Sequence, residues 1–252
     1  MDFVGDKPRY NIHMHAELIT AVTIDWSLIP NDSYLKTIPA VSSISSLPFH
    51  QPITFFVGEN GTGKSTLLEA MAIAGGFNPE GGTRNYRFST YDSHSELCNA
   101  MTLSRTARKV NWGYFLRAES FYNVATQEQE YWEEAGESRY YHHQSHGESF
   151  LSAIQEQFRP DSLYFLDEPE AALSPQRQLT LMREIYRCAS NGSQFFIVSH
   201  SPILLGMPEA ELLSFDENVI MPIAYEDTES YRITKLFLQQ REQLLNYLLE
   251  EE

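Results

Sequence analysis

Nine consecutive residues, Gly58-Glu59-Asn60-Gly61-Thr62-Gly63-Lys64-Ser65-Thr66, carry the most explicit chemistry in the chain. They fit G-x-x-x-x-G-K-[ST], in which glycines let successive backbone N–H groups turn inward around a polyphosphate. In that arrangement Lys64 reaches the β- and γ-phosphates, and the Ser65 hydroxyl joins a Mg²⁺ shell. The ligand such a cradle takes is a nucleoside triphosphate with its Mg²⁺, and the pattern leaves ATP and GTP both open.

Three further groups follow in chain order. Ser145-His146-Gly147-Glu148-Ser149 precedes a helix that Phe150 and Leu151 open, and a Ser-x-Gly turn at a helix N-terminus is an anion site. Read alone, a helix cap explains Ser145 equally well. Leu163-Tyr164-Phe165-Leu166 is an apolar strand with Asp167, Glu168 and Pro169 at its tip. A rigid strand can aim one carboxylate at a metal and the next at attacking water. Asp167 is therefore the expected Mg²⁺ ligand, directly or through water, and Glu168 the general base or water-orienting group. His200 follows another apolar strand, Phe195-Phe196-Ile197-Val198, where its ring can hydrogen-bond a γ-phosphate or the attacking water. An Asp-Glu pair or a lone His at a strand end is commonplace. Their order behind a phosphate loop is not.

Phosphate loop, Ser-x-Gly turn, Asp-Glu strand end and Ser199-His200, in this order, resemble an ATP-binding-cassette (ABC) P-loop ATPase. The run from Asp167 to Pro175 is similar to soluble members: heads of structural-maintenance-of-chromosomes (SMC) proteins, recombination and repair ATPases, and small stand-alone AAA-type, ABC-like ATPases of bacteria. The resemblance covers residues 50–205. It implies a cytoplasmic enzyme that binds ATP with Mg²⁺ and hydrolyses it. It also implies a homodimer that sandwiches two ATP molecules. Ser145 and Gly147 of one subunit would contact the γ-phosphate held by Gly61, Gly63 and Lys64 of the other, with Glu170 to Ser174 along the seam. The chain departs from the family pattern in several places. His146 stands at the first of two usual glycines, Glu148 at a common Gln, and Ser174 at the usual Asp. Glu119 is the nearest match to a glutamine loop, and Tyr34 and Trp26 are the aromatics offered for adenine stacking.

These groups need a framework. Ile53–Val57 is a short apolar run that enters the loop as a buried strand, and Lys64–Ala74 is a helix stopped by Gly75-Gly76. Strands at 113–118, 163–166 and 194–198, with a helix at 175–189 between the last two, alternate as in a parallel sheet flanked by helices. The expected fold is thus α/β, a P-loop NTPase of ABC type. An N-terminal antiparallel β subdomain is expected at residues 11–28, with a hairpin or meander, and a small helical insertion at 119–158. Residues 38–48 and 77–87 read as loops. The amphipathic segment 231–249 is expected to pack on the sheet, with docking to a partner as the alternative. All 252 residues are expected to form one ATPase domain.

Composition narrows the partners. A net charge of −16 opposes bulk attraction to DNA, RNA or anionic lipid, although Arg105, Arg108, Lys109 and Arg117 crowd one segment. No apolar run reaches the roughly 18 residues of a membrane span, and the first residues lack the apolar core of a secretory signal. Cys98 and Cys188 lack metal-type spacing and read as buried or idle thiols of a reducing cytosol. The eighty or so residues between phosphate loop and Ser145 could form a helical hairpin of at most about 60 Å, which excludes a long chromosome-clamping coiled coil. Three functions remain: an ATPase whose dimerisation drives or licenses an effector protein in a setting such as DNA repair or anti-phage defence; the ATP-binding subunit of a transporter; or an ATP-sensing switch with little turnover.

Overall fold

A computed structural model describes residues 17–84, 96–117, 151–152 and 155–249. Its strands, in chain order, are β1 (Ile19–Ile24), β2 (Ser46–Pro48), β3 (Ile53–Val57), β4 (Gly82–Thr83), β5 (Met101–Arg105), β6 (Trp112–Arg117), β7 (Ser162–Asp167), β8 (Gln194–Val198), β9 (Glu211–Ser214) and β10 (Met221–Pro222). The α-helices are α1 (Pro39–Ser42), α2 (Lys64–Ala74), α3 (Pro175–Ala189), α4 (Pro202–Leu205), α5 (Glu229–Gln239) and α6 (Arg241–Leu249).

The larger sheet has the order β10-β9-β3-β8-β7-β6-β4. Its inner strands β9, β3, β8, β7 and β6 are all parallel, and the two-residue strands β10 and β4 pair antiparallel at the edges. Every residue of β3 and β8 is buried, as expected where helices cover both faces of a parallel sheet. Alternation then sorts the side chains. Phe56, Phe165 and Phe196 meet Leu67, Leu68 and Met71 of α2 on one face. Phe55, Tyr164 and Phe195 meet Leu181, Ile185 and Cys188 of α3 on the other. Tyr164 stacks on its register partner Phe195 at 4.6 Å, and Phe165 on Phe196 at 5.5 Å. Removing such a ring from water contributes about 1.5–3 kcal/mol, so the strands that carry the chemistry are held firmly at their tips.

The smaller sheet is antiparallel, in the order β2-β1-β5, and closes over the α2 face through Val22, Ile24, Leu47 and Met101. Gln194, at the start of β8, ties the two sheets together. Its buried side-chain carbonyl accepts the N–H groups of Leu18 (3.0 Å) and Ile19 (2.7 Å), and its amide donates to Ile19 O (2.9 Å). An amide suits this place because it carries both a donor and an acceptor.

The α/β class, the parallel sheet and the antiparallel N-terminal sheet match the expectation. The details of the smaller sheet do not. β1 pairs with β2 and β5 rather than in a hairpin within 11–28, and Trp26–Leu28 is a 3₁₀ turn. The stretch 38–48 contains α1 and β2, and β4 lies within 77–84. Residues 231–249 do not pack on the sheet. They form two helices meeting at Gln240, and neither has a buried residue. Most of the expected insertion 119–158 lies outside the described residues. Among the described residues, no helix is long and apolar enough to cross a membrane.

Candidate active site

The loop between β3 and α2 is shaped by backbone conformations that only glycine takes easily. Gly58, Gly61 and Gly63 all have positive φ. Gly63 is additionally pressed against α1 and the residue before it. A Cβ there would lie 2.5 Å from Val41 Cγ2 and 2.8 Å from Ile38 Cγ2. Gly63 caps α2 without any side-chain hydrogen bond, so the helix opens with its first-turn N–H groups facing the loop. That combination of free amides and the positive helix end suits an anion.

Lys64 is buried, and its Nζ donates to Gly58 O at 2.7 Å and to Glu59 O at 2.5 Å. Burial pulls this ammonium below the usual lysine range, while Asp216, Glu168, Asp167 and Glu59 draw it back up. The cation is therefore held inside the loop by its own carbonyls, with acidic groups around it.

Strand β8 separates β3 from β7, yet α2 crosses it and delivers Ser65 to the tip of β7. Ser65 Oγ donates to Asp167 Oδ1 at 2.9 Å. Glu168 follows in the left-handed region with φ of 48°, its N–H donating to Val198 O at 3.0 Å. This conformation is strained for a residue with a side chain, and Pro169 further disfavours the right-handed alternative. It turns the Glu168 carboxylate back over the strand tips, where Oε1 lies 3.9 Å from His200 Nε2. Phosphate loop, Asp167, Glu168 and His200 thus come together at one end of the larger sheet. Ser145 and Gly147 lie outside the described residues, as do Glu119, His146 and Glu148.

Sequence reasoning missed Asp216. It stands just beyond β9, which pairs with β3 on the side away from β8. Its Oδ1 accepts the N–H of Glu59 at 2.7 Å, and its Oδ2 accepts the Ser214 hydroxyl at 3.1 Å. A Cβ on Gly58 would sit 2.6 Å from that same Oδ1. The first glycine of the motif is needed here partly because Asp216 occupies the space. Nothing in the local sequence marks this aspartate; only the parallel pairing of β9 with β3 brings it to the loop. Asp216, Gly58, Asn60, Glu168, His200 and Ser230 line one cleft of about 470 Å³ beside the loop.

Of the basic residues that crowd 105–117, Arg108 pairs with Asp161 at 2.7 Å and Arg117 with Glu69 at 2.9 Å. Arg117 also donates to Pro79 O, so both serve as internal ties. Trp26 packs against the core with its indole N–H on Ile44 O, whereas Tyr34 is exposed.

The donor set fits Mg²⁺. Ser65 and Asp167 offer two hard oxygens beside the glycine-shaped loop. Among the described residues no cluster of three or more His, Cys, Asp or Glu could hold a metal by itself. Mg²⁺ held by one or two protein oxygens plus substrate phosphates needs no such cluster.

Residues 116–206 match the family model described as "AAA domain, putative AbiEii toxin, Type IV TA system". The matched span includes Asp167, Glu168 and His200, set around a loop of the G-x-x-x-x-G-K-[ST] kind. Over that span the chain is similar to an AAA domain. Solved structures similar to the chain include "a putative metal-chelate type ABC transporter" in an inward-facing conformation, at 17% identity and TM-score 0.41, covering 77% of this chain and 81% of that one. Another is the SMC head domain from Thermotoga maritima, at 12% identity and TM-score 0.42, covering 82% of this chain and 99% of that one. No curated protein matches the chain in sequence.

Proposed function

We propose that this chain is a single cytoplasmic ATPase domain that binds and hydrolyses ATP, dimerises head to tail around it, and drives or licenses a separate effector protein. DNA repair and anti-phage defence are the settings we favour. The observation that carries the reading is the 2.9 Å contact between Ser65 and Asp167, with the Glu168–His200 pair at the neighbouring strand tips.

The loop amides and Lys64 bind the phosphates and hold them in line. Ser65 and Asp167 would hold Mg²⁺, which would supply charge neutralisation at the phosphate oxygens. Glu168 accepts the proton of the attacking water as its oxygen bonds to the γ-phosphorus and the bond to the bridging oxygen of ADP breaks. His200 hydrogen-bonds the γ-phosphate or that water. In the dimer, Ser145 and Gly147 of the partner close the site.

The test is the Glu168→Gln variant. It should bind ATP with unchanged affinity, lose about 10²–10⁴-fold in turnover, and elute as a dimer in ATP and Mg²⁺. Ser145→Arg should abolish that dimer and leave monomer affinity intact. A wild-type chain that remains monomeric in saturating Mg²⁺ and a non-hydrolysable analogue overturns the sandwich.

A further inference from the structure

The hydrolytic reading above uses Glu168 and His200 but leaves one buried carboxylate oxygen unexplained. Glu170 lies in the turn after β7, where Ala171 N donates to Glu168 O at 3.1 Å. Its Oε1 accepts three hydrogen bonds from three successive residues: Ser199 Oγ at 2.7 Å, His200 N at 2.7 Å and Ser201 N at 3.1 Å. A second grip comes from the same segment. Gln178 Oε1 accepts the Ser201 hydroxyl at 2.6 Å, and its amide donates back to Leu173 O at 3.0 Å. Ser201 Oγ in turn caps α4 through Ile203 N and Leu204 N.

Hydrogen bonds to a carboxylate are short and roughly twice as strong as neutral ones. One oxygen serving three consecutive residues also fixes the bend of their backbone, because all three donors must converge on a single point. The turn that carries Glu168 and the loop that carries His200 are therefore joined as one body. Neither the Ser-His loop nor the turn could shift alone without stranding a half-buried carboxylate, whose inaccessible Oε2 has no hydrogen-bond partner among the described residues.

We propose that Glu170 is the positioning residue of the site: it sets His200 against Glu168 and passes any displacement of residues 170–174 to the histidine. This rests on the hydrolytic reading, in which residues 170–174 line the dimer seam. Closure of the sandwich would then be felt at His200 through Glu170, without a separate relay.

The experiment compares Glu170→Ala, the near-isosteric Glu170→Gln, and Gln178→Ala in the full chain. ATP turnover is measured beside hydrogen exchange of the 199–201 amides in nucleotide-free protein. Glu170→Ala should lower kcat by about tenfold to a hundredfold with KM for ATP within about twofold, the pattern of a lost geometric constraint. Exchange at 199–201 should speed up while β3 and β7 stay protected. Glu170→Gln, which keeps an acceptor but loses the charge, and Gln178→Ala, which loses one grip, should fall between. Unchanged exchange at 199–201, or kcat and KM that change together with protection lost throughout, overturns the proposal. Absent turnover in the wild type removes the hydrolytic reading, and the exchange measurement still decides whether Glu170 holds the loop.

Discussion

Ser65 Oγ donates to Asp167 Oδ1 across 2.9 Å, although 102 positions separate them in sequence and β8 lies between β7 and the strand that leads into α2. The contact joins the phosphate loop to the carboxylate tip. Ser65→Ala and Asp167→Asn should each raise the Mg²⁺ concentration needed for tight nucleotide binding by on the order of tenfold or more. Titration of a fluorescent ATP analogue with Mg²⁺ measures this. Identical curves for variant and wild type remove both residues from the metal assignment.

Glu168 combines chemistry with a strained backbone, and the two can be separated. With φ of 48°, it sits where a side chain costs about 1–2 kcal/mol. Glu168→Gly should therefore be as stable as wild type or more so, with turnover lost. Thermal melts beside ATPase assays would show it. A clear fall in Tm would mean that the turn is held by the carboxylate rather than in spite of it.

Gly58 and Asp216 form a matched pair at the loop entrance. Gly58→Ala should weaken nucleotide binding strongly, because a Cβ meets Asp216 Oδ1 and φ of 137° is a region essentially closed to alanine. Asp216→Ala should weaken binding less, by freeing the Glu59 N–H. The double variant should not recover, since removing Asp216 opens space but leaves the dihedral. Recovery would show that the clash alone mattered.

Gln194→Leu tests the tie between the sheets. It preserves bulk but orphans the buried Leu18 and Ile19 N–H groups, at about 1–3 kcal/mol each. A loss on the order of 3 kcal/mol in denaturant melts is expected. A loss below about 1 kcal/mol would mean that apolar packing alone holds the smaller sheet.

The two thiols should be silent in the native state. Burial pushes Cys188 up to about 11, and burial raises Cys98 as well. The raised values leave the thiolate scarce at neutral pH and let it appear only as pH climbs towards those values. Alkylation read by mass spectrometry at pH 7.5 should modify neither cysteine until denaturant is added. Rapid native labelling of Cys188 would show that the α3 face opens.

How much of the site was legible follows from how each residue is positioned. Lys64, Ser65, Asp167, Glu168 and His200 sit at a glycine-rich turn or at the ends of apolar strands, and those patterns are local. The strands β3, β7 and β8 were readable for the same reason, as apolar runs buried on both faces. β5, β9 and β10 went unread, because short strands with mixed side chains take their state from their neighbours. The 231–249 segment shows the converse failure. Its amphipathic spacing predicted packing on the sheet, but spacing identifies an apolar face without saying what covers it.

The amino-acid order by itself determined the phosphate cradle, the carboxylate tip and the α/β alternation, since each depends on residues close together along the chain. Tertiary structure alone decided that Asp216 braces Gly58, that Gln194 joins two sheets, and that Glu170 grips the loop of His200. Those three are polar side chains meeting backbone groups far away in sequence. Sheet order and helix crossing fix such meetings, and no local pattern records them.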